Sequence, residues 1–240
     1  MANALTVAIQ GMHNDQTRLD GISRNLANVS TPAYRRETFV STPFAQTLTS
    51  AMDQGVSMTI GVPQVASHVD NRQGAQKFTG LPLDVAIEGD GYYEVAAAGG
   101  PAYTRQGRFQ VDARGRLTTE AGEAVVGMRG DIVLTGTQPT IDRQGNVTDN
   151  GRLVGQLKVV RFPADAEPVR LGNGLLQFSV AGSSDKAVNV RQGFTEASNV
   201  SSMTEMVMLV ETMRHFESNQ RLVQAYDEML DKALRKLGDL

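Results

Sequence analysis

Chemistry in this 240-residue chain has to come from a short list of side chains. Glu88-Gly-Asp90-Gly91 sets two carboxylates two residues apart, with Asp84 just upstream, a set that could divide general acid and base work. His13, His68 and His215 are the histidines open to metal ligation or proton transfer. Gly172-Asn-Gly174 resembles part of a dinucleotide loop, residues 142–150 carry the Asp, Asn and Gly of a calcium loop, and Ser183-Ser184-Asp185 offers hydroxyls beside an acid.

Each reading fails on spacing. The histidines lie far apart, with no carboxylate or cysteine at ligand distance along the chain. The glycine pair lacks its third glycine and its helix, and residues 142–150 lack the closing Glu. The serines do not sit in a nucleophile elbow. Glycines and strand-like runs flank residues 88–91, which therefore read as a hairpin turn. With no cysteine at all, disulfides, thiolate metal sites and thiol nucleophiles are excluded. The expectation is no catalytic residue, no metal site and no cofactor: not an enzyme.

Bulk properties narrow the partners. Twenty-three Lys and Arg against 26 Asp and Glu leave a net charge of -3, too small for a nucleic-acid role, and Arg35-Arg36 is only a dipeptide. No apolar run approaches the roughly 20 residues needed to cross a bilayer, so membrane insertion is not expected. The first residues have neither a basic segment nor a continuous apolar stretch, so no cleaved signal peptide is expected.

Helices dominate both ends. Leu5, Met12, Leu19 and Leu26 recur every seven residues, with Ala8, Ile22 and Val29 three residues after three of them. That spacing lays one apolar seam along a helix from about Leu5 to Asn28, interrupted by Asp15 and ended at Ser30-Thr31-Pro32. Near the C-terminus Leu209, Phe216, Val223, Leu230 and Leu237 repeat the spacing. Met206, Met213 and Leu234 occupy companion positions, and Gln220 and Asp227 interrupt that second row. Asn199 or Ser202 is a candidate N-cap, with Glu205 placed for a capping box, and a helix of roughly 35 residues follows.

Between the helices the pattern changes to short runs such as Val85-Ala-Ile87, Tyr92-Tyr-Glu-Val95, Ile132-Val-Leu134 and Val159-Val160, punctuated by glycine. Asp112-Ala-Arg-Gly115 and Asp142-Arg-Gln-Gly145 are turns, the Asp capping and the Gly taking positive φ. The fold class expected is mixed α and β. Long N- and C-terminal helices (1–34 plus 199–240) form a coiled-coil-like assembly segment, and the central domain (77–198) is all-β, of short antiparallel strands. Residues 35–76, rich in Thr, Ser and Gln, read as an extended connector, with short strands around Val56–Ile60.

Three segments carry a family resemblance. Asn25-Leu-Ala-Asn28-Val-Ser-Thr31-Pro-Ala-Tyr34-Arg-Arg36 resembles the N-terminal signature of flagellar rod and hook proteins, with Pro32-Ala33 where the family often has a glycine. Residues 83–117, from Leu83-Asp84 through Tyr103-Thr-Arg105-Gln-Gly107 to Leu117, resemble the β domain of the same proteins. Gly193-Phe-Thr-Glu196-Ala-Ser198-Asn199, with Arg214-His-Phe-Glu217-Ser-Asn219, resembles their C-terminal signature. The short length is most like the proximal-rod member (FlgF-like).

The resemblance implies a structural subunit of the basal-body rod. Its terminal helices would assemble into a helical tube that transmits torque, through an interface of Leu5, Met12, Leu19, Ile22, Asn25, Leu26, Asn28, Asn199, Met206, Leu209, Met213, Phe216, Val223, Leu230 and Leu237. Implied partners are copies of the chain, other rod and hook axial proteins, and the flagellar type III export apparatus. The implied location is the rod in the periplasmic space, reached without a cleaved signal. An adhesin-like, ligand-binding β module with helical oligomerisation ends is the alternative. A seam exposed on a lone helix further suggests ends that order only on assembly.

Overall fold

The structure is a computed structural model and describes residues 2–41, 65–136, 139–163, 166, 168–184 and 189–238. The expected strands around Val56–Ile60 lie outside the described residues. The chain divides into two compact units: Met1–Val29, Arg35–Asn71 and Val200–Leu240 form a helical unit, and Ser30–Tyr34 with Arg72–Asn199 form a β unit.

The helical unit holds two helices, α1 (Ala2–Ala27) and α2 (Ser202–Gly238), and a pair of strands, Glu37–Ser41 and Val65–Val69. Those strands pair antiparallel, Glu37 opposite Val69 and Ser41 opposite Val65. They occupy both ends of the segment that reads in sequence as a connector. At the end of α1, Asn28 folds its side chain back to donate from Nδ2 to the Arg24 carbonyl at 2.8 Å, the same oxygen that accepts from the Asn28 backbone N–H at 3.1 Å. Ser201 precedes α2 and accepts from the Thr204 N–H at 3.5 Å, so the cap falls between the two candidates, Asn199 and Ser202.

The β unit is antiparallel throughout. Its main sheet runs in hydrogen-bonded order through strands 168–172, 175–178, 100–104, 92–97, 124–127, 117–119 and 109–111. Strand Val159–Arg161 also pairs with 92–97, and smaller sheets join 140–141, 146–149 and 152–156, 85–87 with 190–192, and 76–78 with 194–196. Alternation along Tyr92–Ala97 buries Tyr93 and Val95 against Val85, Leu117, Val125 and Leu157. The two Asp-x-x-Gly segments fold as expected. Asp112 Oδ1 accepts from the Arg114 and Arg116 N–H groups, each at 2.8 Å, and Asp142 Oδ1 accepts from those of Gln144 and Asn146, each at 2.9 Å. Gly115 and Gly145 follow at φ 80° and 78°.

One expectation is overturned. Mixed α and β with two terminal helices and a central antiparallel β domain stands, but the helices do not pack as a coiled coil with an apolar seam. Asn25 on α1 meets Glu205 on α2 and Asp15 meets Asn219, so the helices run antiparallel with polar groups facing one another. Along α2 the less exposed positions are 205, 209, 212, 216, 219, 223 and 226, spaced alternately by four and three. The row beside Leu209, Phe216 and Val223 is therefore Glu205, Thr212, Asn219 and Tyr226. Residues i−3 and i−4 both neighbour a given side chain on a helix, so apolarity favoured Met206 and Met213. Hydrogen bonding to α1 selects the other row.

Candidate assembly interface

In the helical unit, burial concentrates on a polar cluster. Glu205 is 0% exposed, and its Oε1 accepts from Arg36 Nε at 2.5 Å while its Oε2 accepts from Asn25 Nδ2 at 3.1 Å. Asn25, also fully buried, accepts from the Glu37 N–H at 2.9 Å and donates to the Glu37 carbonyl at 2.8 Å. Glu37 in turn pairs with Arg24 at 3.0 Å. One carboxylate thereby ties α1, the strand that follows it and α2. Glu205 is not a capping-box side chain. Further along, Asn219 donates to Asp15 Oδ2 at 3.1 Å, and Gly11 leaves room for Asn219 beside α1. Asp15, an interruption in the sequence seam, is thus a contact to α2. A groove of about 320 Å3 beside this cluster is lined by Arg18, Ile22, Phe39, Met208, Thr212 and His215, among others.

The sequence-predicted interface residues fall into three groups. Ile22 and Asn25 are buried inside the unit. Leu5, Met12, Leu19, Leu26, Asn28, Leu209, Phe216 and Val223 are half-buried. Met206 and Met213 are 53% and 48% exposed, and with Met203, Val207 and Val210 they form an uncovered apolar stripe along the first three turns of α2. At roughly 100° per residue this stripe is centred away from the face carrying Glu205 and Thr212. Asn199, half-buried in the β unit, donates from Nδ2 to the Arg72 carbonyl at 3.0 Å. The side chains of Leu230 and Leu237 lie outside the described residues.

The residues weighed for catalysis do not converge. Asp84 is buried, Glu88 is held by Asn189 at 2.6 Å and Arg191 at 3.4 Å, and Asp90 is exposed. His13, His68 and His215 are all exposed on separate elements of the helical unit. Among the described residues no group of three or more His, Asp or Glu is arranged to hold a metal, and no helix is long and apolar enough to cross a membrane. Two charged residues of structural weight escaped the sequence reading, Arg105 and Glu196, which pair at 2.7 Å inside the β unit. Both lie within signature segments, and that position was the available signal.

Comparison with known proteins identifies the chain. Residues 191–236 match the family described as flagellar basal body rod FlgEFG protein C-terminal, and residues 86–152 match the flagellar hook protein FlgE/F/G D1 domain. The flagellar basal-body rod protein FlgG of Bacillus subtilis is 30% identical, with 97% of this chain and 98% of that protein covered. FlgG of Agrobacterium fabrum is 31% identical over 94% and 96%. The flagellar basal-body rod protein FlgF of Caulobacter vibrioides is 29% identical over the whole of both chains. The chain belongs to the flagellar basal-body rod protein family.

Proposed function

We propose that this rod subunit is purely structural and without catalytic activity. It stacks with copies of itself and with other axial proteins through residues 1–34 and 199–240, and the resulting tube carries torque. The observation that carries this reading is the apolar stripe of Met203, Met206, Val207, Val210 and Met213, which no described residue of the chain covers. Exposed methionine adapts to partners of different sequence, as a subunit set between copies and relatives needs. The half-buried Leu5, Met12, Leu19, Leu26, Leu209, Phe216 and Val223 flank the same assembly segment. In this reading the subunit is a proximal-rod one, FlgF-like; relatives named FlgF are matched over 99–100% of their length and relatives named FlgG over 96–98%. Delivery by the flagellar type III apparatus without a cleaved signal would bring the chain to the periplasmic space.

Met206→Glu with Met213→Glu tests the reading. Both side chains are exposed, so the purified variant should melt like the parent, while cells carrying it should lose swimming and the chain should vanish from isolated basal bodies. Normal motility with the variant incorporated would refute an assembly role for this face.

A further inference from the structure

The chain passes between its two units at 29/30, 34/35, 71/72 and 199/200, so every covalent path leaves the β unit from residues 30–34, 72–76 or 193–199. Within the β unit these segments are tied together. Ala33 N–H donates to the Glu196 carbonyl at 2.8 Å, Asn199 N–H to the Tyr34 carbonyl at 3.3 Å, and Ala197 N–H to the Ala75 carbonyl at 2.8 Å. Asn199 Nδ2 reaches the Arg72 carbonyl, and Gly74 N–H donates to Glu196 Oε1 at 3.1 Å. A side chain on Gly74 would put Cβ 1.9 Å from the Ala197 carbonyl oxygen, so these two passages touch at the backbone.

One buried ion pair anchors the knot to the sheet. Glu196 is 2% exposed and Arg105 8%. Arg105 Nε donates to Glu196 Oε2 at 2.7 Å, Nη1 donates to the Gly91 carbonyl at 2.7 Å, and Nη2 donates to the Gly89 carbonyl. The guanidinium fork thus joins the turn at 89–91 to the segment leading into α2. Buried ion pairs are often no more stabilising than apolar residues of equal volume, so this one is better explained by what it positions than by what it adds to stability.

We propose that Arg105 and Glu196 are positioning residues that clamp together the passages through which load enters and leaves the β unit. The mechanical part of this proposal rests on the rod-subunit reading; the clamp itself does not. In Glu196→Gln an oxygen remains for the Gly74 N–H, but the charge facing Arg105 is gone. Hydrogen exchange on the purified full chain should quicken about tenfold or more at residues 33, 74, 197 and 199, the loss expected of one charged hydrogen bond. Residues 93–96, 117–119 and 124–126 should keep their protection. Arg105→Lys, which keeps the charge without the fork, should give the same local pattern. Unchanged exchange at the passages in both variants, or equal loosening of the whole sheet, would overturn the clamp.

In cells, Glu196→Gln should leave flagellar number unchanged, while swimming speed falls more steeply than in the parent as the medium is made more viscous. Glu120→Gln, which breaks the exposed pair between Arg108 and Glu120, is the control and should match the parent. A parent-like response to viscosity in Glu196→Gln, with its passages loosened, would overturn the role in carrying load. Absence of the parent chain from basal bodies would instead overturn the rod reading and leave the exchange result standing.

Discussion

Glu205 is the residue on which the pairing of α1 with α2 turns, and its removal gives a measurable test. In Glu205→Ala the Arg36 guanidinium loses its partner and Asn25 loses one of its bonds. Removing one partner of a buried pair costs about 3–5 kcal/mol. Arg36 keeps 17% of its side chain in water, which lowers that share to about 2–3 kcal/mol. Asn25 retains both of its bonds to Glu37, so its loss adds about 1 kcal/mol. At about 1–3 kcal/mol per molar urea, a total of about 3–4 kcal/mol should move the helical transition down by roughly 1–4 M. Two probes separate the units. Circular dichroism at the helix band follows α1 and α2, whereas four of the five tyrosines, Tyr34, Tyr92, Tyr93 and Tyr103, lie in the β unit and report through fluorescence. A helical midpoint that stays in place, or a tyrosine transition shifted equally, would refute the assignment of Glu205 as the tie within the helical unit.

Two further expectations concern the β unit. Ala33 sits at φ 55°, in the left-handed region that favours glycine. Ala33→Gly should release about 1–2 kcal/mol of backbone strain, offset by roughly 0.4–1 kcal/mol of added unfolded-state entropy. Calorimetry should show a melting temperature equal to the parent's or slightly higher; a clear fall would mean the strain is not there. The Asp149 carboxyl is held below the usual carboxylate range by the backbone N–H of Thr135, then that of Gly136, then the Thr135 hydroxyl. A depressed folded pKa gives stability that is present above the unfolded value near 4 and is lost as pH falls through the folded value. Asp149→Asn should therefore be less stable than the parent at pH 7, with the gap closing in acid; a gap that is constant with pH would refute this origin.

The sequence made some of this architecture legible and hid the rest for physical reasons. Seven-residue spacing and the absence of Gly or Pro before Gly238 announced α2, and the Asp-x-x-Gly segments announced two turns, because both signals are local. The face of α2 that meets α1 was not legible. It depends on hydrogen bonds that Glu205 accepts and Asn219 donates across more than 160 positions of sequence, and no periodicity records them. Asp15 looked like a flaw in a seam because its partner, Asn219, was not visible. The Arg105–Glu196 pair spans 91 positions and was equally silent. Met206 and Met213 lie on the exposed side of α2 rather than on the side that meets α1, a choice of side that their apolarity alone does not specify. The expectation that both ends order only on assembly meets a chain in which α1 and α2 already pair with each other. Hydrogen exchange of residues 2–27 and 202–228 in the purified chain would decide how firmly that pairing holds.

This chain is a structural part of the rod. The most direct test of that role is deletion of the gene from the bacterium that carries it, followed by electron microscopy of isolated basal bodies. The deletion should leave truncated rods without hooks and non-motile cells, with both defects repaired by the intact chain. Complete hook–basal bodies on swimming cells would contradict that role.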